Sequence, residues 1–140
     1  GLDRPVSGIS GQDLERVLQA MRLRRAEAAI GARQYGAAAE AFGALLQDQP
    51  QSARLRLGLG MAVLGKGDNR EALALFDTLL AQQPSGPAYY GRAMAYYTAG
   101  QHTASLKDLD QAMALEPRNP RYPQVRAQVA AAAAAGTATK

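Results

Sequence analysis

Thr78-Leu79-Leu80-Ala81-Gln82-Gln83-Pro84 has two counterparts in the chain, Ala44-Leu45-Leu46-Gln47-Asp48-Gln49-Pro50 and Gln111-Ala112-Met113-Ala114-Leu115-Glu116-Pro117. The closing prolines are 34 and 33 residues apart. Eight residues before each proline stands a large apolar side chain, Phe42, Phe76 or Leu109, and four before that a small one, Ala38, Ala72 or Ser105. Gly67 and Gly100 lie 17 residues before their prolines, and Arg33 holds that place in the first copy, with Gly31 and Gly36 beside it. Three copies in register at this period mark a repeat architecture.

Each copy reads as helix, short turn, helix and a proline stop, with the break between helices at Gly67, at Gly100 and near Arg33. In the second copy Ala72, Leu73, Phe76, Leu79 and Leu80 recur at helical spacing on one face, and Asp68 with Glu71 forms a capping pair at that helix's start. The first helices differ. Between Ala53 and Gly65 only Arg54 and Arg56 are clearly polar, so this helix is expected to be covered on more than one side. Ala88 to Tyr97 repeats that property with tyrosines.

The pattern changes at both ends. Ser10-Gly11-Gln12-Asp13 fits a capping box, and Leu14, Val17, Leu18 and Met21 form an apolar stripe, so a long first helix is expected from about Asp13 to about Ala32. After Pro120 a last helix carries Tyr122, Val125 and Val129 on one side and runs to Gly136, a natural helix stop, and such a helix can cap an open stack end. The expected organisation is a flexible segment 1–12, three copies within 13–117 (about 19–52, 53–85 and 86–119), a capping helix 120–136 and a tail 137–140.

Composition bounds the function. At 140 residues and 47% hydrophobic the chain has enough apolar material for one core, and 20% charged residues place it away from disorder. There is no cysteine, which removes disulfides, thiolate nucleophiles and cysteine zinc sites. The only long apolar run, Ala130 to Ala135, is far short of a membrane helix, so a soluble chain is expected. It opens on Gly1 without a signal peptide's basic start, which reads as a processed form or an excised fragment. Residues 1–117 carry 12 basic and 12 acidic side chains, so the net +4 comes entirely from Arg118, Arg121, Arg126 and Lys140. Four terminal charges make no basic stripe for a phosphate backbone, and nucleic acid is not an expected partner. Thirteen of the sixteen basic residues are arginine, and with abundant alanine this suggests a GC-rich, bacterial coding sequence.

The 34-residue helix-turn-helix unit with small-x-x-x-aromatic and a closing proline resembles the tetratricopeptide repeat, over roughly residues 19 to 117. Ala38 with Phe42 and Pro50, Ala72 with Phe76 and Pro84, and Ser105 with Leu109 and Pro117 carry the second half of the motif. The first half is represented by Arg56, Leu59, Gly60 and Val63, by Tyr89, Arg92, Ala93 and Tyr96, and by Arg22, Arg25, Ala26 and Ala29. The resemblance implies an all-α, right-handed superhelix of stacked antiparallel helix pairs, with an extended N-terminal helix and a C-terminal capping helix. Small residues at 26, 60 and 93, and at 38, 72 and 105, would let its helices approach closely.

The resemblance also implies that the first helices line a concave wall where partners bind. The inward positions would be Leu23, Glu27 and Ile30 in the first copy, Leu57, Met61 and Leu64 in the second, and Tyr90, Met94 and Tyr97 in the third. Residues 57, 61, 64 and 90, 94, 97 are each spaced i, i+4, i+7 on a single face. Methionine adapts to irregular apolar partners and tyrosine offers large area with a polar tip, so the expected ligand is an apolar or amphipathic peptide or helix. One subgroup of the family is similar to a carboxylate clamp, whose polar and basic groove residues hold a chaperone's C-terminal Glu-Glu-Val-Asp. Leu23, Glu27, Met61 and Tyr90 stand where that clamp wants polar or basic groups, so chaperone tails are not expected ligands.

His102 starts a second helix where the other copies have Tyr35 and Asn69, and it reads as a turn residue; no other histidine exists to share a metal. Asp108 and Asp110, near Lys107, read as surface charge. His102, Thr103 and Ser105 are merely adjacent in sequence and build no triad, and Gly58-Leu59-Gly60 and Gly65-Lys66-Gly67 lack the strand a phosphate loop requires. Neither an enzyme nor a cofactor is expected. The expectation is a protein-binding scaffold, placed by family habit in a bacterial envelope, secretion or polysaccharide-export assembly, in periplasm or cytoplasm. The alternatives are self-association through the long first helix or an uncapped end, and a spacer domain whose groove its own termini fill.

Overall fold

The computed structural model describes residues 10–138, with side chains up to 136. The expected flexible segment 1–12 therefore lies mostly outside the described residues, as does the end of the tail. The described residues form seven helices: α1 (Gly11–Gly31), α2 (Tyr35–Asp48), α3 (Ala53–Gly65), α4 (Asn69–Gln82), α5 (Gly86–Thr98), α6 (His102–Leu115) and α7 (Arg121–Ala138).

Helix starts follow a simple local rule. α1, α3 and α5 each open on a serine whose Oγ accepts an otherwise unpaired backbone N–H: Ser10 from Asp13 at 3.0 Å, Ser52 from Leu55 at 3.2 Å and Ser85 from Ala88 at 3.2 Å. The second helices have no such cap. Asp68 holds the N-cap position of α4, but its side chain makes no capping bond, which corrects the Asp68–Glu71 pair expected from spacing. α1 opens at Gly11, two residues before the expected start, and α7 runs past Gly136 to Ala138.

The three turns inside the helix pairs are one motif used three times. Gln34, Asp68 and Gln101 donate their N–H groups to the carbonyls of Ala29, Val63 and Tyr96, while Arg33, Gly67 and Gly100 donate to Ile30, Leu64 and Tyr97. This bonding requires a left-handed residue at the second position of the turn. Gly67 (φ 95) and Gly100 (φ 79) adopt it without penalty; Arg33 adopts it at φ 61 with a side chain in place.

Packing turns the pairs into a stack. Each helix packs on its sequence neighbours, and α3 also touches α1 and α5, so the first helices form one layer and the second helices the other. Ala26, Ala38, Ala62, Ala72, Ala93 and Ser105 are fully or almost fully buried where helices meet, and Gly60 is buried among them. The large side chains fill the spaces those residues leave. Phe42 lies against Gly58 of α3, and Phe76 lies between Gly60 of α3 and Gly91 of α5. Leu109 packs with Ala93 and with Val129 of α7. This is the all-α superhelix of antiparallel pairs expected from the repeat, with α7 covering α6.

Candidate partner-binding surface

The nine residues named from the sequence stand on α1, α3 and α5, three neighbouring helices of one layer. Leu23 and Ile30 are half-buried against the first core cluster, and Leu57, Met61 and Leu64 against the second. Tyr90 and Tyr97 pack partly on the third, and Met94 is half-buried. Each trio therefore offers the rim of a core cluster rather than freely projecting side chains. Glu27 is the exception: it is exposed and charged.

Glu27 is not alone. Arg54 of α3 reaches across and places Nε at 3.1 Å from Glu27 Oε2 and Nη2 at 2.9 Å from the same oxygen. Both side chains are open to water, so the pair contributes at most about 1 kcal/mol, but it neutralises the cation on this stretch of the layer. Arg54 was absent from the sequence-derived set. Its signal was available, because it stands one helical turn before Leu57 on the face carrying Met61 and Leu64. Arg54 and Leu23 also border a cleft of about 710 Å³ between the start of α1 and the α2–α3 turn, with Gln19 bonded to Asp48 at 3.1 Å on its wall.

The aromatic end is partly covered by the chain itself. The Tyr90 ring lies 5.5 Å from that of Tyr122 on α7, and the Arg121 guanidinium sits 5.7 Å from the Tyr90 centroid. Tyr122 is held there by burial and by donating its hydroxyl to Glu116, both of which push its ionisation above the ordinary tyrosine range. Arg126 bonds Asp110 at 2.6 Å and fixes α7 on α6. Tyr97 keeps its ring 5.5 Å from that of His102, the first residue of α6.

One sequence reading is overturned. Asp108 is 4% exposed, not surface charge, and its carboxylate receives both Nε (2.8 Å) and Nη2 (2.9 Å) of Arg92. Arg92 also donates to Asp77 at 3.0 Å and lies within 6 Å of the Tyr89 and Tyr96 rings. The Asp108 bond, larger than the opposing burial cost, raises the guanidinium's pKa above its usual range. The physical reason is register. Arg92 and Asp108 occupy the places of Leu59 and Leu75, which pack against the second core cluster in the preceding copy, so an ion pair stands where that copy has apolar side chains. Asp110, one position from the core stripe, is exposed.

Among the described residues no three His, Asp or Glu side chains are grouped to hold a metal ion, and no helix is long and apolar enough to cross a membrane.

Residues 29–96 match the family model of the tetratricopeptide repeat, and three helix pairs stand in register across that stretch and beyond it. Solved tetratricopeptide-repeat domains share the fold. The first such domain of human RPAP3 superposes with a TM-score of 0.76 at 15% identity, covering 87% of this chain and 97% of that one. The first domain of Spaghetti (RPAP3), bound to the HSP90 peptide SRMEEVD, gives 0.71 at 17% identity over 83% and 93%. The second domain of human RPAP3, in complex with the HSP70 peptide SGPTIEEVD, gives 0.67 at 20% identity over 80% and 95%. No curated protein sequence matches the chain.

Proposed function

We propose that this chain is a non-catalytic scaffold that holds an apolar or amphipathic segment of a partner protein along the layer formed by α1, α3 and α5. The observation that carries the reading is the run of half-buried Leu57, Met61, Leu64, Met94 and Tyr97 side chains on adjacent helices, an apolar surface with adaptable and aromatic groups. Peptide binding by the structurally similar domains supports the general role. Their peptides end in Glu-Glu-Val-Asp. Here the acidic Glu27 already occupies Arg54, and Leu57 and Met61 continue the surface, so on this stretch an acidic tail meets a neutralised cation and apolar side chains. The ligand is therefore of the apolar class, and an envelope, secretion or export assembly is the setting in which we place it.

The test is selection from a displayed peptide library, followed by calorimetry of the enriched peptides against the parent and a Met61→Ala/Met94→Ala variant. Enriched apolar or amphipathic sequences whose affinity falls at least about tenfold in the variant support the reading. Enrichment of Glu-Glu-Val-Asp-like tails, or affinity unchanged by the variant, overturns it. The Tyr90–Tyr122 contact favours a second reading in which α7 closes the aromatic end. Under that reading, Tyr122→Ala increases peptide affinity.

A further inference from the structure

Each inner first helix looks back along the stack with a face of small residues. In α3 that face is Leu55, Gly58, Ala62 and Gly65; in α5 it is Ala88, Gly91, Ala95 and Thr98. The glycines at 58 and 91 admit the rings of Phe42 and Phe76, to which a Cβ would approach within 2.3 and 2.5 Å. The same register on α1 reads Met21, Arg24, Ala28 and Gly31. Leu55 and Ala88 are 3% and 2% exposed, whereas Met21 is 49% exposed. Arg24, also exposed, stands where the inner helices carry glycine. A helix pair stacked on α1 in the inner-repeat geometry would drive its aromatic ring into the Arg24 stem, so this end is not shaped for another such repeat.

The uncovered apolar surface is displaced toward the start of α1. Leu14, Val17, Leu18 and Met21, spaced i, i+3, i+4, i+7, are the large apolar residues left open on this helix. The turns from Gly11 to Leu18 are exposed throughout and run beyond Gln19, the residue that bonds to Asp48 at the end of α2.

The charges bordering this stripe are arranged for a second copy of it. At about 100° per residue, Asp13 and Arg24 fall along one edge and Glu15 and Arg22 along the other. Each edge is acidic at its N-terminal end and basic at its C-terminal end. Two such helices laid antiparallel about a two-fold axis bring each edge against its own reverse. With the axis passing between Val17 and Leu18, Leu14 meets Met21 and Val17 meets Leu18, and Asp13 and Glu15 come to within two residues, about 3 Å along the axis, of direct opposition to Arg24 and Arg22 of the second copy, a gap their long side chains span. A parallel pair would set acid against acid, so the charges select the antiparallel arrangement.

We propose that α1 is a dimerisation helix, and that the partner on its exposed stripe is a second copy of this chain, docked antiparallel through Leu14, Val17, Leu18 and Met21. The pairing uses a face other than the proposed peptide surface, so a dimer would present two such surfaces.

Sedimentation velocity from about 1 to 300 µM tests this, with the expected mass rising from one chain to two. Val17→Glu with Leu18→Glu should raise the dissociation constant at least about a hundredfold while circular dichroism keeps the parent's helix content, because both side chains are exposed in the single chain. A chain carrying Asp13→Arg and Glu15→Arg and one carrying Arg22→Glu and Arg24→Glu should each be monomeric where the parent dimerises, and their equimolar mixture should dimerise again. A parent that stays monomeric throughout, an apolar variant that dimerises like the parent, or a mixture no better than its components overturns the proposal. So does a monomeric parent that co-sediments with phosphatidylglycerol vesicles through the same stripe, which would assign it to a lipid surface.

Discussion

Gly91 stands so close to Phe76 that a Cβ atom on it would lie 2.5 Å from the ring. The ring has little room to retreat, because Phe76 is fully buried and Gly60 of α3 approaches the same ring edge, where a Cβ would lie 2.8 Å away. Gly91→Ala therefore sets two effects against each other. Helix propensity favours alanine by up to about 1 kcal/mol, and overpacking a fully buried ring costs about 1–3 kcal/mol. Overpacking wins: urea unfolding should show Gly91→Ala less stable than the parent, while Gly43→Ala, at a helical glycine with open space around it, should be neutral or stabilising.

The Arg92–Asp108 pair gives a sharper test because the molecule contains its apolar counterpart. Asp108→Ala leaves a half-buried guanidinium with only the exposed Asp77 and should cost about 2–3 kcal/mol in urea unfolding. Replacing both residues together by leucine, as in Leu59 and Leu75, should restore most of that stability.

Arg33 occupies a conformation that costs an L-residue about 1 kcal/mol or more and that Gly67 and Gly100 adopt freely. Arg33→Gly should raise the melting temperature by a few degrees, although glycine gains chain entropy on unfolding. Gly67→Ala should lower it.

Tyr122 supplies a pH dependence. Its folded pKa is raised by burial and by Glu116, above the unfolded value near 10. The stability this provides is fully present below pH 10 and is lost as pH rises, because the unfolded chain gives up the proton first. Equilibrium unfolding measured from pH 8 upward should show stability falling above about pH 10. Tyr122→Phe should flatten that fall.

The fold was legible because its determinants repeat. Proline, large apolar and small residues recur at fixed offsets, and stacking converts those offsets directly into contacts such as Phe42 with Gly58. Asp108 was misread because a charged residue beside Lys107 and Asp110 looks solvated when a single helix is considered. It lies three residues after Ser105 and four before Ala112, both buried, and the aligned Leu59 and Leu75 of the second copy held the correct answer. The candidate surface was legible as a choice of helices and faces. Its cover at Tyr90 was not, because where α7 turns after Pro120 depends on contacts that fall outside the repeat period.

The helix order also governs how the molecule comes apart. Since each helix leans chiefly on those next to it in sequence, with α1–α3 and α3–α5 as additions, closing the structure needs almost no long loops, and the ends can detach without the middle. Amide hydrogen exchange should accordingly be graded along the chain. In the single chain, the protons from Gly11 to Leu18 would exchange first, those of α7 after them, and those of α3 to α5, flanked on both sides, last. A partner that touched only the ends would then slow exchange locally, whereas one lying across the first-helix layer would protect all three repeats at once.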